Sequence, residues 1–278
     1  MRRLLSFFLF VFTCFVVACN NSDSNPAPDE SKSVIAAEPP RIGFSVLNTY
    51  PHDTSIFTEG LEFHEGQLFE ASGGDNVNTP HPSAFGIADL KTGKMIKKVD
   101  INNTRYFGEG ITFFNGKIYE LTYKSEKGFI YDARTFKKIR EFYYPGEGWS
   151  LTHDSTHLIM STGSSNLLII DPNQIGDTLK VQRILGVSDN NGPVANINEL
   201  EYIHGYIYAN QWQTNYILKI DPSNGMVVGK LDLSNLEAEA RKKYENLDVL
   251  NGIAYNPTSN TLFVTGKLWP TIYEIQLN

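Results

Sequence analysis

Gly110-Ile111-Thr112-Phe113 to Gly116-Lys117-Ile118-Tyr119 reads as a short apolar strand, a turn and a second apolar strand. The same cassette, its turn usually centred on Gly or Asn, occurs five times in the chain. The other copies are Gly60-Leu61-Glu62-Phe63 to Gly66-Gln67-Leu68-Phe69, Ser150-Leu151-Thr152-His153 to His157-Leu158-Ile159, Glu199-Leu200-Glu201-Tyr202 to Gly205-Tyr206-Ile207-Tyr208, and Gly252-Ile253-Ala254-Tyr255 to Thr261-Leu262-Phe263. They recur roughly every 40 to 53 residues, the period of propeller blades rather than of helical solenoids.

A second signal follows each of the first four cassettes: a few apolar residues running into Asp and a turn. These are Gly86-Ile87-Ala88-Asp89, Phe129-Ile130-Tyr131-Asp132, Leu168-Ile169-Ile170-Asp171 and Leu218-Lys219-Ile220-Asp221. Asp opens turns because its side chain bonds the backbone just ahead. A further strand after each turn makes every unit a four-stranded antiparallel meander, which is one blade. The expected fold is therefore an all-β, five-bladed β-propeller. The fifth unit ends at its third strand, Thr271-Ile272-Tyr273-Glu274-Ile275. Gly43 to Tyr50 alternates apolar and polar residues and is predicted to supply the missing outer strand, closing the ring and removing an exposed edge. Asn235 to Leu247 carries Leu236, Ala240, Tyr244 and Leu247 at helical spacing, predicting a short helix between blades four and five. Ser72 to Ser83, rich in Gly, Asn and Pro, reads as a surface loop.

The chain has 278 residues, 41% of them hydrophobic, and a net charge of -7. That supports a sizeable core and argues against a nucleic-acid partner, since no basic cluster interleaved with aromatics offsets the acidic balance. Arg2 and Arg3 precede an apolar run from Leu4 to Ala18, and Cys19 follows directly. The run is short for a bilayer span. Its ending, Val16-Val17-Ala18-Cys19, resembles the lipobox of bacterial lipoproteins, in which Cys19 becomes the lipidated first residue. Residues 1–18 are thus expected to be a signal peptide. Residues 19–40, starting at the lipidated Cys and rich in Asn, Ser, Asp, Pro and Ala, are expected to be a flexible tether, and residues 41–278 the propeller. A lipid-anchored protein of the bacterial cell envelope, facing the periplasm or the cell surface, follows. The other cysteine, Cys14, lies in the leader, so the mature chain would hold no disulfide, thiolate metal site or cysteine nucleophile.

Residues just before the inner strands should converge at one channel mouth. They are Phe57-Thr58-Glu59, Phe107-Gly108-Glu109, Glu147-Gly148-Trp149, Asn196-Ile197-Asn198-Glu199 and Asn251, joined after the inner hairpins by Tyr123, Asn210-Gln211-Trp212 and Gly266-Lys267-Leu268-Trp269. Aromatic walls with a few carboxylates, amides and a lysine suit a ligand pocket, and all three tryptophans fall in this set. Glu59, Glu109 and Glu199 are rival acid/base candidates, because crowded carboxylates beside aromatic walls have raised pKa values; each could equally cap nearby backbone amides. There is no Gly-x-Ser-x-Gly elbow and no phosphate-cradling Gly loop. The six histidines (52, 64, 81, 153, 157, 204) are scattered, which makes surface or structural roles the expectation and argues against a zinc hydrolase.

Several motifs in order resemble the plant-type glutaminyl-peptide cyclotransferases. They are Tyr50-Pro51-His52-Asp53 with Phe57-Thr58-Glu59-Gly60, Tyr106-Phe107-Gly108-Glu109-Gly110, Lys127-Gly128-Phe129-Ile130-Tyr131-Asp132, Asn198-Glu199-Leu200-Glu201-Tyr202, Trp212-Gln213-Thr214, Leu250-Asn251-Gly252-Ile253-Ala254, and Phe263-Val264-Thr265-Gly266-Lys267-Leu268-Trp269-Pro270. The resemblance spans Tyr50 to Leu277. It implies a five-bladed propeller that converts N-terminal glutamine of peptides or proteins to pyroglutamate with release of ammonia. It also implies that Glu109 shuttles the proton, that Phe57, Phe107, Tyr123, Trp149 and Trp212 form the pocket, that Asn198 bonds the substrate carboxamide or its developing charge, and that Lys267 sits at the pocket edge. No cofactor is required in this family; members can hold a structural calcium ion in the channel, though no residue here demands one. Catalysis in the family uses no metal. A monomer is expected. Three positions depart from the family pattern: Glu59 stands where Gln is common, placing a second ionisable group near Glu109; Tyr123 stands where Trp is usual; and the loop from Ser72 to Ser83 is longer than the family's lip. The alternative reading is a non-catalytic peptide-binding propeller lipoprotein, and a third is a metal-dependent lactonase-like propeller.

Replacing Cys19 by Ala is expected to abolish incorporation of labelled fatty acid and to shift the protein from the membrane to the soluble fraction. Labelling that persists in the variant would mean an ordinary secretory leader.

Overall fold

The computed structural model describes residues 37–75, 81–101 and 104–278. The leader, Cys19 and the tether up to residue 36 lie outside the described residues, as does the middle of the loop from Ser72 to Ser83. The first strand, β1 (Phe44–Pro51), does not join the blade that follows it. Blade one is β2 (Thr58–His64), β3 (Gln67–Ser72), β4 (Ala84–Ala88) and β5 (Met95–Asp100). Blade two is β6 (Gly108–Phe114), β7 (Lys117–Thr122), β8 (Lys127–Asp132) and β9 (Lys138–Tyr143). Blade three is β10 (Ser150–His153), β11 (Leu158–Ser161), β12 (Asn166–Ile170) and β13 (Val181–Gly186). A two-stranded hairpin, β14 (Ser188–Asp189) and β15 (Gly192–Pro193), leads to blade four: β16 (Ile197–Ile203), β17 (Tyr206–Gln211), β18 (Tyr216–Ile220) and β19 (Val227–Asp232). Helix α1 (Ser234–Lys243) precedes β20 (Leu250–Asn256), β21 (Thr261–Gly266) and β22 (Thr271–Leu277). β1 pairs with β22 as the outer strand of this fifth blade, Phe44 opposite Leu277 and Pro51 opposite Thr271. All five sheets are antiparallel, and the inner strands β2, β6, β10, β16 and β20 contact one another in a closed ring. The fold is the five-bladed propeller that the cassettes predict.

Turn chemistry explains why the cassettes form. Glu65-Gly66, Asn115-Gly116 and His204-Gly205 each take positive φ at both residues. That is the backbone of a two-residue I′ hairpin, whose twist matches its flanking strands. The acidic turns work as the sequence predicts: Asp89, Asp132, Asp171 and Asp221 accept the backbone N–H of Lys91, Thr135, Asn173 and Ser223 at 2.8–2.9 Å. Strand faces pack between neighbouring blades, so the core is a set of interblade clusters. One such cluster joins Leu231, Leu233, Ile253 and Val264 with Leu236 and Ala240 of α1. The helix is shorter than its apolar spacing predicts. Tyr244 is already extended, and buried Leu247 packs from the non-helical segment that must reach the start of β20.

A buried histidine secures the closing strand. His52 Nδ1 meets Trp269 O at 2.6 Å, its Nε2 meets Glu70 Oε1 at 2.8 Å, and its backbone N–H donates to Pro270 O. Asn278 N also donates to Gly43 O.

Buried carboxyl groups give the fold a pH signature. Burial pushes Glu120, which accepts the Tyr131 hydroxyl at 2.6 Å, and Glu62 up to about 8. A carboxyl raised in the folded state binds more protons there than in the unfolded chain between about 4.5 and about 8, so stability falls as pH rises through that window. Thermal melts should therefore show the midpoint dropping across it, and Glu120→Gln, which keeps an acceptor for Tyr131, should flatten the drop. An unchanged slope in the variant would refute the assignment.

Candidate active site

The inner strands begin irregularly. The ladder register shifts between Thr58 and Gly60, Gly108 and Ile111, Ile197 and Leu200, and Leu250 and Ile253. Such bulges re-aim side chains, and they carry Glu59, Glu109, Asn198 and Asn251. Close approach of the inner strands requires the neighbouring glycines. A Cβ on Gly110 would lie 2.6 Å from Ser150 Cα, and one on Gly60 would lie 3.0 Å from Gly110 Cα.

These ends enclose a cavity of about 410 Å3, lined by Phe57, Glu59, Phe107, Glu109, Tyr123, Trp149, Asn198, Trp212, Gln213, Asp248, Val249 and Lys267. Phe57 packs edge-on against Phe107 with centroids 6.1 Å apart and stacks on His81; Phe107 in turn meets Tyr123. On the far wall Trp149 and Trp212 pack edge to face at 5.5 Å, and Trp149 Nε1 donates to Glu147 Oε2 at 3.0 Å.

The polar floor is deeply buried. Glu59, Glu109 and Lys267 are only 2%, 5% and 6% exposed. Lys267 Nζ donates to Glu59 Oε1 at 2.6 Å and lies 4.5 Å from the Phe57 ring centroid. The Glu109 and Glu59 carboxyls lie within hydrogen-bonding reach of each other. Burial, then the adjacent Glu59 charge, hold the Glu109 carboxyl well above its ordinary range, with Lys267 opposing. Burial also raises Glu59, but Lys267 and the bond from Glu109 pull it back. A neutral Glu109 beside an ionised Glu59 is the arrangement these forces favour. Buried Asn198 Oδ1 has no hydrogen-bond partner among the described residues.

The family profile for glutamine cyclotransferase matches residues 14–277. A protein of Arabidopsis thaliana, glutaminyl-peptide cyclotransferase, is 37% identical over 235 residues, 84% of this chain and 70% of the relative. The crystal structure of Myxococcus xanthus glutaminyl cyclase superposes with a TM-score of 0.76 at 33% identity, covering 87% of this chain and 99% of that one. The chain belongs to the glutamine cyclotransferase family.

Within this glutamine cyclotransferase fold, every predicted pocket residue from Phe57 to Lys267 lines this cavity, but Lys267, expected at the edge, is drawn to its buried floor by the bond to Glu59. Two expectations from convergence do not hold. Trp269 is fully buried in the cluster beside α1, edge-on to Tyr273, with Nε1 donating to Asp248 O. Its backbone turns at Leu268, where φ is 61°, and this sends the ring outward between blades. Glu199 faces the channel but spends its oxygens on Leu61 N and Ile253 N at 3.2 and 2.8 Å, so it straps three blades rather than lining the cavity. Glu62 and Glu201 accept Phe113 N and Tyr255 N in the same way. Among the described residues no group of three or more His, Cys, Asp or Glu is arranged to hold a metal ion.

Val249, Asp248 and Gln213 were not expected in the wall. Val249 had a usable signal: it stands three residues before Gly252, as Phe57 and Phe107 stand three before Gly60 and Gly110.

The two tryptophan environments are separable by fluorescence. Trp149→Phe with Trp212→Phe should leave a blue-shifted emission resistant to acrylamide, whereas Trp269→Phe should leave a readily quenched one. Equal quenching of the two variants would place Trp269 in the cavity.

Proposed function

We propose that the chain is a glutaminyl-peptide cyclotransferase acting on the N-terminal glutamine of peptides or proteins, with Glu109 as its general acid. The observation that carries this reading is a buried carboxyl, held well above its ordinary range by burial and by the adjacent Glu59, in the lining of an aromatic cavity in a chain of this family. The glutamine side chain fits between Phe57, Phe107, Trp149 and Trp212. Its folded-back conformation brings the α-amine to the side-chain carbon, and holding the two together replaces a large entropic cost. Walls that exclude water favour ring closure over hydrolysis.

Two proton movements accompany the reaction: the attacking amine loses one proton and the departing nitrogen gains one. A carboxyl held well above its ordinary range by burial suits the second task. The unpartnered Asn198 Oδ1 would accept from the substrate carboxamide, or, with the amide turned over, its NH2 would meet the developing oxyanion. Lys267 balances the Glu59 charge on the cavity floor. The lipid anchor at Cys19 and the cell-envelope location belong to the same proposal.

Incubation with Gln-Ala peptide should release ammonia and leave the corresponding pyroglutamyl peptide. Glu109→Gln should reduce kcat by about 100-fold or more, the contribution of a positioned acid/base group, with little change in thermal midpoint. Wild-type turnover in that variant would exclude Glu109 from the chemistry.

A further inference from the structure

Glu59 is more than a neighbour that raises Glu109. It lies on the cavity floor, is hydrogen-bonded to Glu109, and receives Lys267 Nζ at 2.6 Å. Asn251 Nδ2 approaches its other oxygen only at 3.5 Å and bonds Thr58 O better, at 3.0 Å. A carboxylate offers about four lone-pair positions, so Glu59 keeps acceptor capacity on the side that faces the cavity. Lys267 stabilises its charge where two buried carboxyls line one cavity.

A single carboxyl would have to take a proton at one nitrogen and deliver it to another. Two linked carboxyls divide that work. We propose that Glu59 and Glu109 act as a relay, Glu59 receiving the proton of the attacking amine while Glu109 protonates the departing nitrogen. The relay rests on the cyclotransferase reading above. The neutral α-nitrogen forms a bond to the side-chain carbonyl carbon, and the bond from that carbon to the carboxamide nitrogen breaks. The amine proton passes to Glu59, the Glu109 proton leaves with ammonia, and the hydrogen bond between the carboxyls then returns a proton from Glu59 to Glu109. No other reactant is consumed.

The active state carries one proton on the pair, so both its gain and its loss should matter. Around the pair the charged and titratable groups are Lys267 after β21, Asp248 before β20, Glu147 before β10, Tyr123 after β7 and Tyr144 after β9. Lys267 favours the ionised state of Glu59, while Asp248 opposes it. Glu147 favours the protonated state of Glu109.

The test is the pH dependence of kcat on Gln-Ala peptide, with rates in mixtures of light and heavy water. Wild type should give a bell with two enzyme ionisations and a curved proton inventory. Glu59→Gln, which keeps an acceptor for Lys267, should lower kcat about 100-fold, in keeping with loss of a proton acceptor. Its acid limb should vanish, its alkaline limb should move to lower pH, and its proton inventory should become linear. Lys267→Met, which leaves Glu59 without its counter-ion, should move the acid limb to higher pH. A Glu59→Gln enzyme with wild-type kcat and an unchanged bell, or an acid limb indifferent to Lys267→Met, would overturn the relay. The failures are separable: a wild type that releases no ammonia defeats the cyclotransferase reading, whereas loss of activity in Glu109→Gln but not in Glu59→Gln defeats only the relay.

Discussion

Each innermost strand of this ring has a ladder partner on one side only. Its other edge faces the channel, where a buried N–H without an acceptor costs about 1–3 kcal/mol. The next blade cannot supply a strand there, so side chains supply the acceptors. Glu62 takes Phe113 N, Glu201 takes Tyr255 N, Asn210 takes Gly252 N and Ser150 takes Leu200 N. Glu199 takes two amides from two blades. These straps set how closely the blades approach, and the glycines at Gly60 and Gly110 permit that approach. Carboxyls are suited to the task as acceptors, and burial pushes all three above their ordinary range, with neighbouring carboxylates adding to the rise of Glu199 and Glu201.

The site grows from the same repeat. Aligned on Gly60 and Gly110, the residue just before the cassette is Glu59, Glu109, Trp149, Asn198 and Asn251 in the five blades. Four of these line the cavity, and Asn251 donates to Thr58 O beside it. One position in a symmetric frame thus supplies two carboxyls, an indole and two amides. The bulges that lift Glu59, Glu109, Asn198 and Asn251 out of register, absent at Trp149, turn a structural repeat into a pocket with distinct sides.

Much of this was legible from residue order. Two-residue turns and Asp-led turns have local causes, so the blade count and the closing strand follow from the chain itself. The cavity was legible because strand starts in a propeller must converge. What escaped depends on longer-range geometry. Trp269 shares its loop with Lys267, yet a left-handed backbone at Leu268 sends the two side chains to opposite environments. Nothing in the identity of Glu199 separates it from Glu59 and Glu109; the difference is a one-residue offset relative to its cassette. Helix α1 stops before its apolar spacing does because the chain must extend to reach β20.

The closing strand also dictates an order of assembly. β1 is synthesised first, and its partner β22 last; the Ser45 and Asn278 side chains that meet at this seam are 233 residues apart in sequence. Blades one to four can form from neighbouring segments as the chain emerges, but the fifth cannot be completed before Leu277. Until then β1 has no ladder, and Val46 and Leu47, exposed even in the finished ring, sit on an unprotected edge. Bringing such distant segments together carries a loop entropy that local hairpins avoid. The seam is therefore the pairing that carries the largest loop-closure entropy in the ring, and until it forms β1 presents an unpaired edge.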